Sequence, residues 1–129
     1  MRRRSALPIL VAVASLLPLI AGCRGGRYTR AVQIVPGGSP RAGARVIEQF
    51  HCGACHMIPG IRDADGLVGP PLILFARRTY VGGEVPNTPP NLIRWIQDPK
   101  SIEPGTAMPD LGLSEQQARN VAAYLYTLR

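Results

Sequence analysis

The stretch HCGACHMIPG, residues 51–60, places two cysteines three positions apart and a histidine directly after the second cysteine. The whole chain of 129 residues has only three cysteines and two histidines, so this segment holds most of its soft metal-binding side chains. Such a pattern is compatible with a zinc site, with a thiol redox pair, or with covalent attachment of a haem.

The C-x-x-C-H spacing favours a c-type haem. Cys52 and Cys55 can add across the two vinyl groups at one edge of the porphyrin, and the turn between them carries His56 under the ring as an iron ligand. A thioredoxin-like pair would follow a strand in a βαβ pattern, which this sequence does not show. Zinc would need a fourth ligand, for which only His51 is available. A lipoprotein that handles thiols or copper without haem is the remaining alternative.

A methionine is the expected second axial ligand, because a soft thioether stabilises ferrous iron and raises the reduction potential. Met1 lies in the leader and Met57 adjoins the proximal histidine, so Met108 in the segment PGTAMPD is the predicted ligand.

With both axial positions filled by protein, iron has no open position for a substrate. We therefore expect a one-electron carrier and not an enzyme. The alternative is a haem enzyme or gas sensor, peroxidase-like, in which Met108 leaves the iron.

The first 22 residues have the pattern of a secretory signal peptide. Three arginines at positions 2–4 precede an apolar run over residues 6–20, and two small residues then precede Cys23. The apolar run is shorter than the roughly 20 residues that cross a bilayer as a straight helix. Its ending, IAGC, resembles the lipobox of bacterial lipoproteins, so we predict lipidation of Cys23. An uncleaved signal anchor and cleavage at another position are the alternatives.

Composition and charge divide the rest of the chain into a tether and a domain. Residues 23–41 are rich in glycine and arginine without a sustained apolar period, which predicts a flexible membrane tether. Residues 42–129 form the predicted domain.

The chain has a net charge of +7, but residues 43–129 hold all eight acidic residues and eight of the 15 basic ones. The domain is therefore close to neutral, and binding to nucleic acid is not indicated.

The apolar pattern of the domain predicts only helices. One helix is expected over residues 42–51, a second over residues 91–98, and a third that begins with a capping box of Ser114 and Gln117. The middle, residues 59–90, is rich in proline and glycine and is expected to be ordered loop. A loop that long normally argues against a compact domain, unless another group fills the interior.

The order of these elements resembles the class I cytochromes c. GARVIEQFHCGACHMI is similar to the first helix and haem motif of that family, and VGPPL to its glycine–proline element. WIQDPKSIEPGTAMP is similar to its helix–proline–loop–methionine segment, and VAAYLYTL to its closing helix. The resemblance implies an all-α fold of three to five short helices around one covalently attached haem c, and electron transfer through the exposed haem edge.

The resemblance also assigns roles to residues around the haem. The carbonyl of Pro70 would accept the Nδ1–H of His56, which fixes the ring and strengthens the ligand. Trp95 stands where the family often has an aromatic side chain beside the methionine sulfur, although it could be plain core. Thr106 would hydrogen-bond one haem propionate. Arg77 or Arg78 would neutralise the other.

Soluble cytochromes c often carry a lysine ring around the haem edge, whereas this chain has only Lys100. Contact with redox partners is therefore expected through arginines, apolar surface or a permanent partner. The signal peptide and the lipid anchor at Cys23 predict an exported protein that faces the periplasm or the outer side of the cytoplasmic membrane. We expect a membrane-held shuttle or a haem subunit of a respiratory complex, similar to the cytochrome c domains that accompany terminal oxidases.

Overall fold

A computed structural model describes residues 32–129 of the chain. Short helices dominate the fold, as predicted, and a very small sheet joins them. The helices are α1 (Pro40–Gln49), α2 (Pro89–Gln97) and α3 (Glu115–Leu125), the antiparallel strands are β1 (Tyr80–Val81) and β2 (Val85–Pro86), and single 3₁₀ turns cover Cys52–Ala54, Phe75–Arg77 and Pro99–Ser101.

Helix α1 begins at Pro40, two residues earlier than expected, because Ser39 caps it. The Ser39 hydroxyl accepts the N–H of Ala42 at 3.3 Å, and proline is favourable in the first turn of a helix. Helix α1 crosses α3 at Gly43, where a Cβ atom would lie only 2.0 Å from the carbonyl oxygen of Asn120. Only glycine allows the two backbones to approach this closely.

Helix α3 has the predicted capping box. The N–H of Gln117 donates to the hydroxyl of Ser114 at 3.3 Å, and the N–H of Ser114 donates to the side-chain oxygen of Gln117 at 2.9 Å. An apolar stripe on the same helix is buried against α1 and α2, and it consists of Ala118, Val121, Ala122 and Leu125. This stripe makes α3 the element on which the other two helices pack.

The residues just before α1 also belong to the packed structure. Val35 is 6% exposed and lies in the core. The side chain of Gln116 donates to the carbonyl of Gly37 at 2.8 Å, and the N–H of Ser39 donates to the side chain of Asn120 at 2.9 Å. We expected these residues in the tether, but their bonds hold them on α3. The predicted leader, Cys23 and residues 23–31 lie outside the described residues, so the division of the chain stays a prediction.

The β1–β2 hairpin lies within residues 59–90, where only loop was expected. Gly82 and Gly83, with φ of +61° and +83°, form its turn, a conformation that glycine adopts without strain. Strands of two residues are too short to show an alternating pattern, which is why the sequence did not reveal them. Among the helices of residues 32–129, none combines the length and the apolar character needed to cross a bilayer.

Candidate haem site

A largely apolar cavity of about 490 Å³ lies between the three helices and the middle loops. Its wall includes Ile47 of α1, Leu92 and Trp95 of α2, and Val121 and Leu125 of α3. Protein interiors normally contain few voids larger than a water molecule, whereas binding sites for large ligands measure about 300–1,000 Å³. The cavity therefore has the size and the chemistry of a site for a large apolar group.

The motif residues reach this cavity through a single tight turn that follows α1. His51 adopts a left-handed conformation with φ of +53°, which redirects the chain out of the helix. The N–H groups of Cys55 and His56 then both donate to the carbonyl of Cys52, at 3.3 and 3.0 Å. Cys52, Cys55 and His56 all line the cavity as a result, and neither cysteine is in a disulfide.

Residues 32–129 contain neither a Cys52 thiol of lowered pKa nor a ligand set for zinc. Burial raises the pKa of the Cys52 thiol above its ordinary value, and this effect outweighs a backbone hydrogen bond that lowers the pKa. Reactive redox cysteines instead have a lowered pKa. Within residues 32–129, no group of three or more His, Cys, Asp or Glu side chains could hold a metal ion. The zinc interpretation therefore finds no ligand set in this part of the chain.

The ring of His56 is held at its edge and on its face. Its Nδ1–H donates to the carbonyl of Pro70 at 2.8 Å, an arrangement that leaves Nε2 available as a metal ligand. Gly69 lies against the ring so closely that a Cβ atom there would be 2.3 Å from Cε1. The N–H of Gly69 also donates to the carbonyl of Cys55 at 2.8 Å. The resemblance in VGPPL gives Gly69 no role, although a glycine beside the proline is the signal that the sequence offers.

Three more of the predicted residues line the cavity, namely Trp95, Thr106 and Met108. The N–H of Met108 donates to the hydroxyl oxygen of Thr106 at 3.2 Å, so the threonine caps the backbone next to the predicted ligand. That hydroxyl keeps its own proton and can still donate a hydrogen bond. Trp95 packs against Gly82 of the hairpin turn, where a Cβ atom would lie 2.5 Å from the indole ring.

The structure treats the two candidate arginines differently. Arg78 lines the cavity, whereas Arg77 is exposed and is not part of the cavity wall. The guanidinium carbon of Arg78 lies 5.3 Å from the centre of the Phe75 ring, and the guanidinium donates to the carbonyl of Pro71. Burial lowers the pKa of Arg78 from its ordinary value, but an arginine stays charged at any physiological pH. Among residues 32–129, the cavity wall thus contains the guanidinium of Arg78 as a cation close to the residues that hold His56.

Short helices around an apolar cavity, with a C-x-x-C-H turn and a histidine fixed by a proline carbonyl, define a class I c-type cytochrome. Residues 40–129 match the family model for cytochrome c, and the chain belongs to that family. The match confirms the predicted fold class and the covalently bound haem c that the family implies.

Curated relatives of the chain include subunit 2 of cytochrome c oxidase from two bacilli. The chain is 34% identical over 88 residues to cytochrome c oxidase subunit 2 of Alkalihalophilus pseudofirmus OF4, which covers 67% of this chain and 25% of that protein. It is 30% identical over 82 residues to cytochrome c oxidase subunit 2 of Bacillus sp. PS3, covering 60% of this chain and 23% of that protein. The chain therefore spans about a quarter of the length of these relatives, and the similarity supports a role in haem-based electron transfer.

The residues of the cavity fit a haem c. Its wall supplies two free thiols on one turn, a histidine whose Nε2 is available, a methionine, and an apolar lining with one arginine. These are the groups needed for two thioether bonds, two axial ligands, and one counter-charge for a propionate.

We expect Gly69→Ala to damage the site through a steric clash with His56. The added methyl group would overlap the imidazole, so the ring must move away from the Pro70 carbonyl, at a cost of about 1–3 kcal/mol. The measurements are the thermal unfolding temperature of the haem-loaded protein and the absorption spectrum of its iron. Leu67→Ala is the control, because Leu67 is 84% exposed and its loss should change stability by no more than about 0.5 kcal/mol. A Gly69→Ala protein with the stability and spectrum of the wild type would contradict this account of the ring.

Proposed function

We propose that this cytochrome is a membrane-anchored one-electron carrier, or the haem subunit of a respiratory electron-transport complex, with His56 and Met108 as its iron ligands. The observation that carries the proposal is the cavity whose wall brings together the motif turn, His56 and Met108. Residues separated by about half of the chain meet there, which the local motif alone would not require.

Haem c supplies a one-electron redox couple when it is bound. In this protein Cys52 and Cys55 would hold it by thioethers, and Gly69 and Pro70 keep the His56 ring in one orientation. The apolar wall excludes water from the site. A preorganised, dry site reorganises little when one charge is gained or lost. These residues therefore suit fast electron transfer better than a reaction in which bonds form and break.

The loop that carries Met108 is anchored at its start, which supports a permanent ligand. The turn Pro99–Ser101 is capped by Asp98, whose carboxylate accepts the N–H of Ser101 at 3.1 Å. Arg94 of α2 donates to the hydroxyl and to the carbonyl of Ser101, at 3.2 and 2.9 Å. A loop held in this way disfavours the alternative of an enzyme or gas sensor, which would need Met108 to leave the iron readily.

We expect the reduced wild type to resist carbon monoxide and Met108→Ala to bind it within the mixing time. The variant should also have a lower reduction potential, because the thioether stabilises ferrous iron. Stopped-flow absorption with carbon monoxide and a redox titration measure the two effects. Met57→Leu is the matched control, since it replaces the methionine next to His56 with a side chain of similar volume. Rapid binding of carbon monoxide by the wild type would favour the enzyme or gas sensor instead.

The surface around the cavity supports contact with a partner through apolar groups. Val68, Tyr80 and Leu111 line the cavity and are 79%, 54% and 38% exposed. Apart from the histidines, Arg78 is the charged residue that the described structure places in the wall. Steering by charge needs a field of one sign near the site, and the side chains of Val68, Tyr80 and Leu111 contribute no charge to it. Exposed uncharged side chains around the cavity suit a partner that stays bound, and the similarity to cytochrome c oxidase subunit 2 supports a respiratory oxidase as that partner.

We expect the rate of electron transfer to respiratory membranes to change little with salt. Ionic strength screens attraction between exposed charges, but it does not weaken the burial of apolar surface. Stopped-flow oxidation of the reduced protein over a range of salt concentrations measures this dependence. A variant with an added charge at the rim, Val68→Lys, should gain a salt dependence and serves as the positive control. A steep fall in the wild-type rate would contradict a neutral contact and indicate a shuttle steered by charge.

The predicted lipid anchor at Cys23 is proposed from the sequence pattern. Acylation contributes about 0.8 kcal/mol for each buried methylene group, and nearby Arg24, Arg27 and Arg30 would each add about 1 kcal/mol against anionic headgroups. We expect the exported wild type to fractionate with membranes and to carry the mass of acyl chains at Cys23. The Cys23→Ser variant should lose that mass. A wild-type protein without acyl mass would contradict lipidation, whatever membrane it is found on.

A further inference from the structure

We infer that Asn87 is a positioning residue for Arg78, and that Tyr126 fixes Asn87 in this role. Both residues lie outside the cavity wall. The inference concerns the tuning of the iron site and rests on the proposed axial ligation by His56. It assigns a redox role to a buried hydrogen-bond network that neither the haem motif nor the family resemblance identified.

Asn87 is only 6% exposed, and both the amide nitrogen and the oxygen of its side chain are hydrogen-bonded. The Nδ2 group donates to the carbonyls of Phe75 and Arg78, at 3.2 and 3.1 Å. The Oδ1 atom accepts the hydroxyl of Tyr126 at 2.8 Å. Carbonyl oxygens can only accept, so the opposite orientation of the amide would place Oδ1 against two acceptors and break both of these bonds. The network therefore has one arrangement.

The same network joins three parts of the chain that are distant in sequence. The backbone N–H of Asn87 donates to the carbonyl of Thr79 at 2.8 Å, and the N–H of Ala76 donates to the carbonyl of Leu128 at 3.0 Å. The rings of Phe75 and Tyr126 are 6.1 Å apart. The segment that ends in Arg78 is thus held between the hairpin and the end of α3. The Asn87 side chain bonds to the first residue of the Phe75–Arg77 turn and to the residue directly after that turn.

Arg78 connects this hydrogen-bond network to the residues around His56. Its guanidinium lies over the Phe75 ring and donates to the carbonyl of Pro71, the residue directly after the proline that accepts the His56 Nδ1–H. Ferric haem carries one more positive charge than ferrous haem. A fixed cation in the cavity wall therefore disfavours the ferric state, and more strongly the closer it lies, because apolar surroundings screen charge weakly. Loss of the Asn87 bonds would let Arg78 turn towards solvent.

The test is a redox titration of haem-loaded variants combined with thermal unfolding. We expect Asn87→Ala to lower the ratio of ferrous to ferric protein several-fold at a fixed ambient potential, and Tyr126→Phe to lower it less. Both variants should also unfold at a lower temperature. In an Arg78→Gln background the Asn87→Ala change should no longer alter the redox ratio, although it should still lower the unfolding temperature. Gln116→Ala is the matched control, because the Gln116 amide donates the same kind of bond, at 2.8 Å, to the carbonyl of Gly37 in the segment before α1.

A purely structural role for Asn87 predicts a different result. The inference is wrong if Asn87→Ala lowers the unfolding temperature but leaves the redox ratio at the wild-type value, or if it shifts the ratio equally with and without Arg78. Should Asn87→Ala yield too little folded protein, Tyr126→Phe in the same two backgrounds decides between these outcomes. A wild-type spectrum without histidine–methionine ligation would instead refute the proposed axial ligands, independently of how the variants compare with one another.

Discussion

The constraint on which the structure depends is the filling of one apolar cavity. The helices approach closely at the Gly43 crossing of α1 and α3, and the cavity lies between them and the middle loops. That space is too large and too apolar to remain empty in a stable small domain. A haem attached covalently at the motif turn keeps the cavity filled, because the cofactor then becomes part of the core and cannot dissociate.

The loops can enclose this core without regular structure because they bond to one another. The N–H of Gly66 donates to the carbonyl of Gly53 at 3.0 Å, and the N–H of Leu72 donates to the carbonyl of Met57 at 2.8 Å. Backbone groups near an apolar interior need such partners, since an unpaired one costs free energy comparable to a lost hydrogen bond. Proline suits these segments for the same reason, because it brings no N–H that must be satisfied.

Local patterns predicted the features that depend on neighbours in sequence. The haem motif, the cap of Ser114 and Gln117, and the helical order all follow from spacing over a few residues. Contacts between distant segments could not be predicted in the same way. Gly69 matters because it meets a histidine ring thirteen positions earlier in the chain, which only the folded structure shows. Asn87 stands in a proline-rich stretch where asparagine normally indicates a turn, so nothing in the sequence indicated a buried network.

The bonds between residues 35–39 and α3 have a mechanical consequence. If the chain before residue 32 were pulled, the load would fall first on buried Val35 and then on the bonds that join residues 36–39 to the first half of α3. The loops that carry His56 and Met108 lie beyond this point along the chain. Tension on the preceding segment would therefore be absorbed by the scaffold before it could disturb the geometry at the iron.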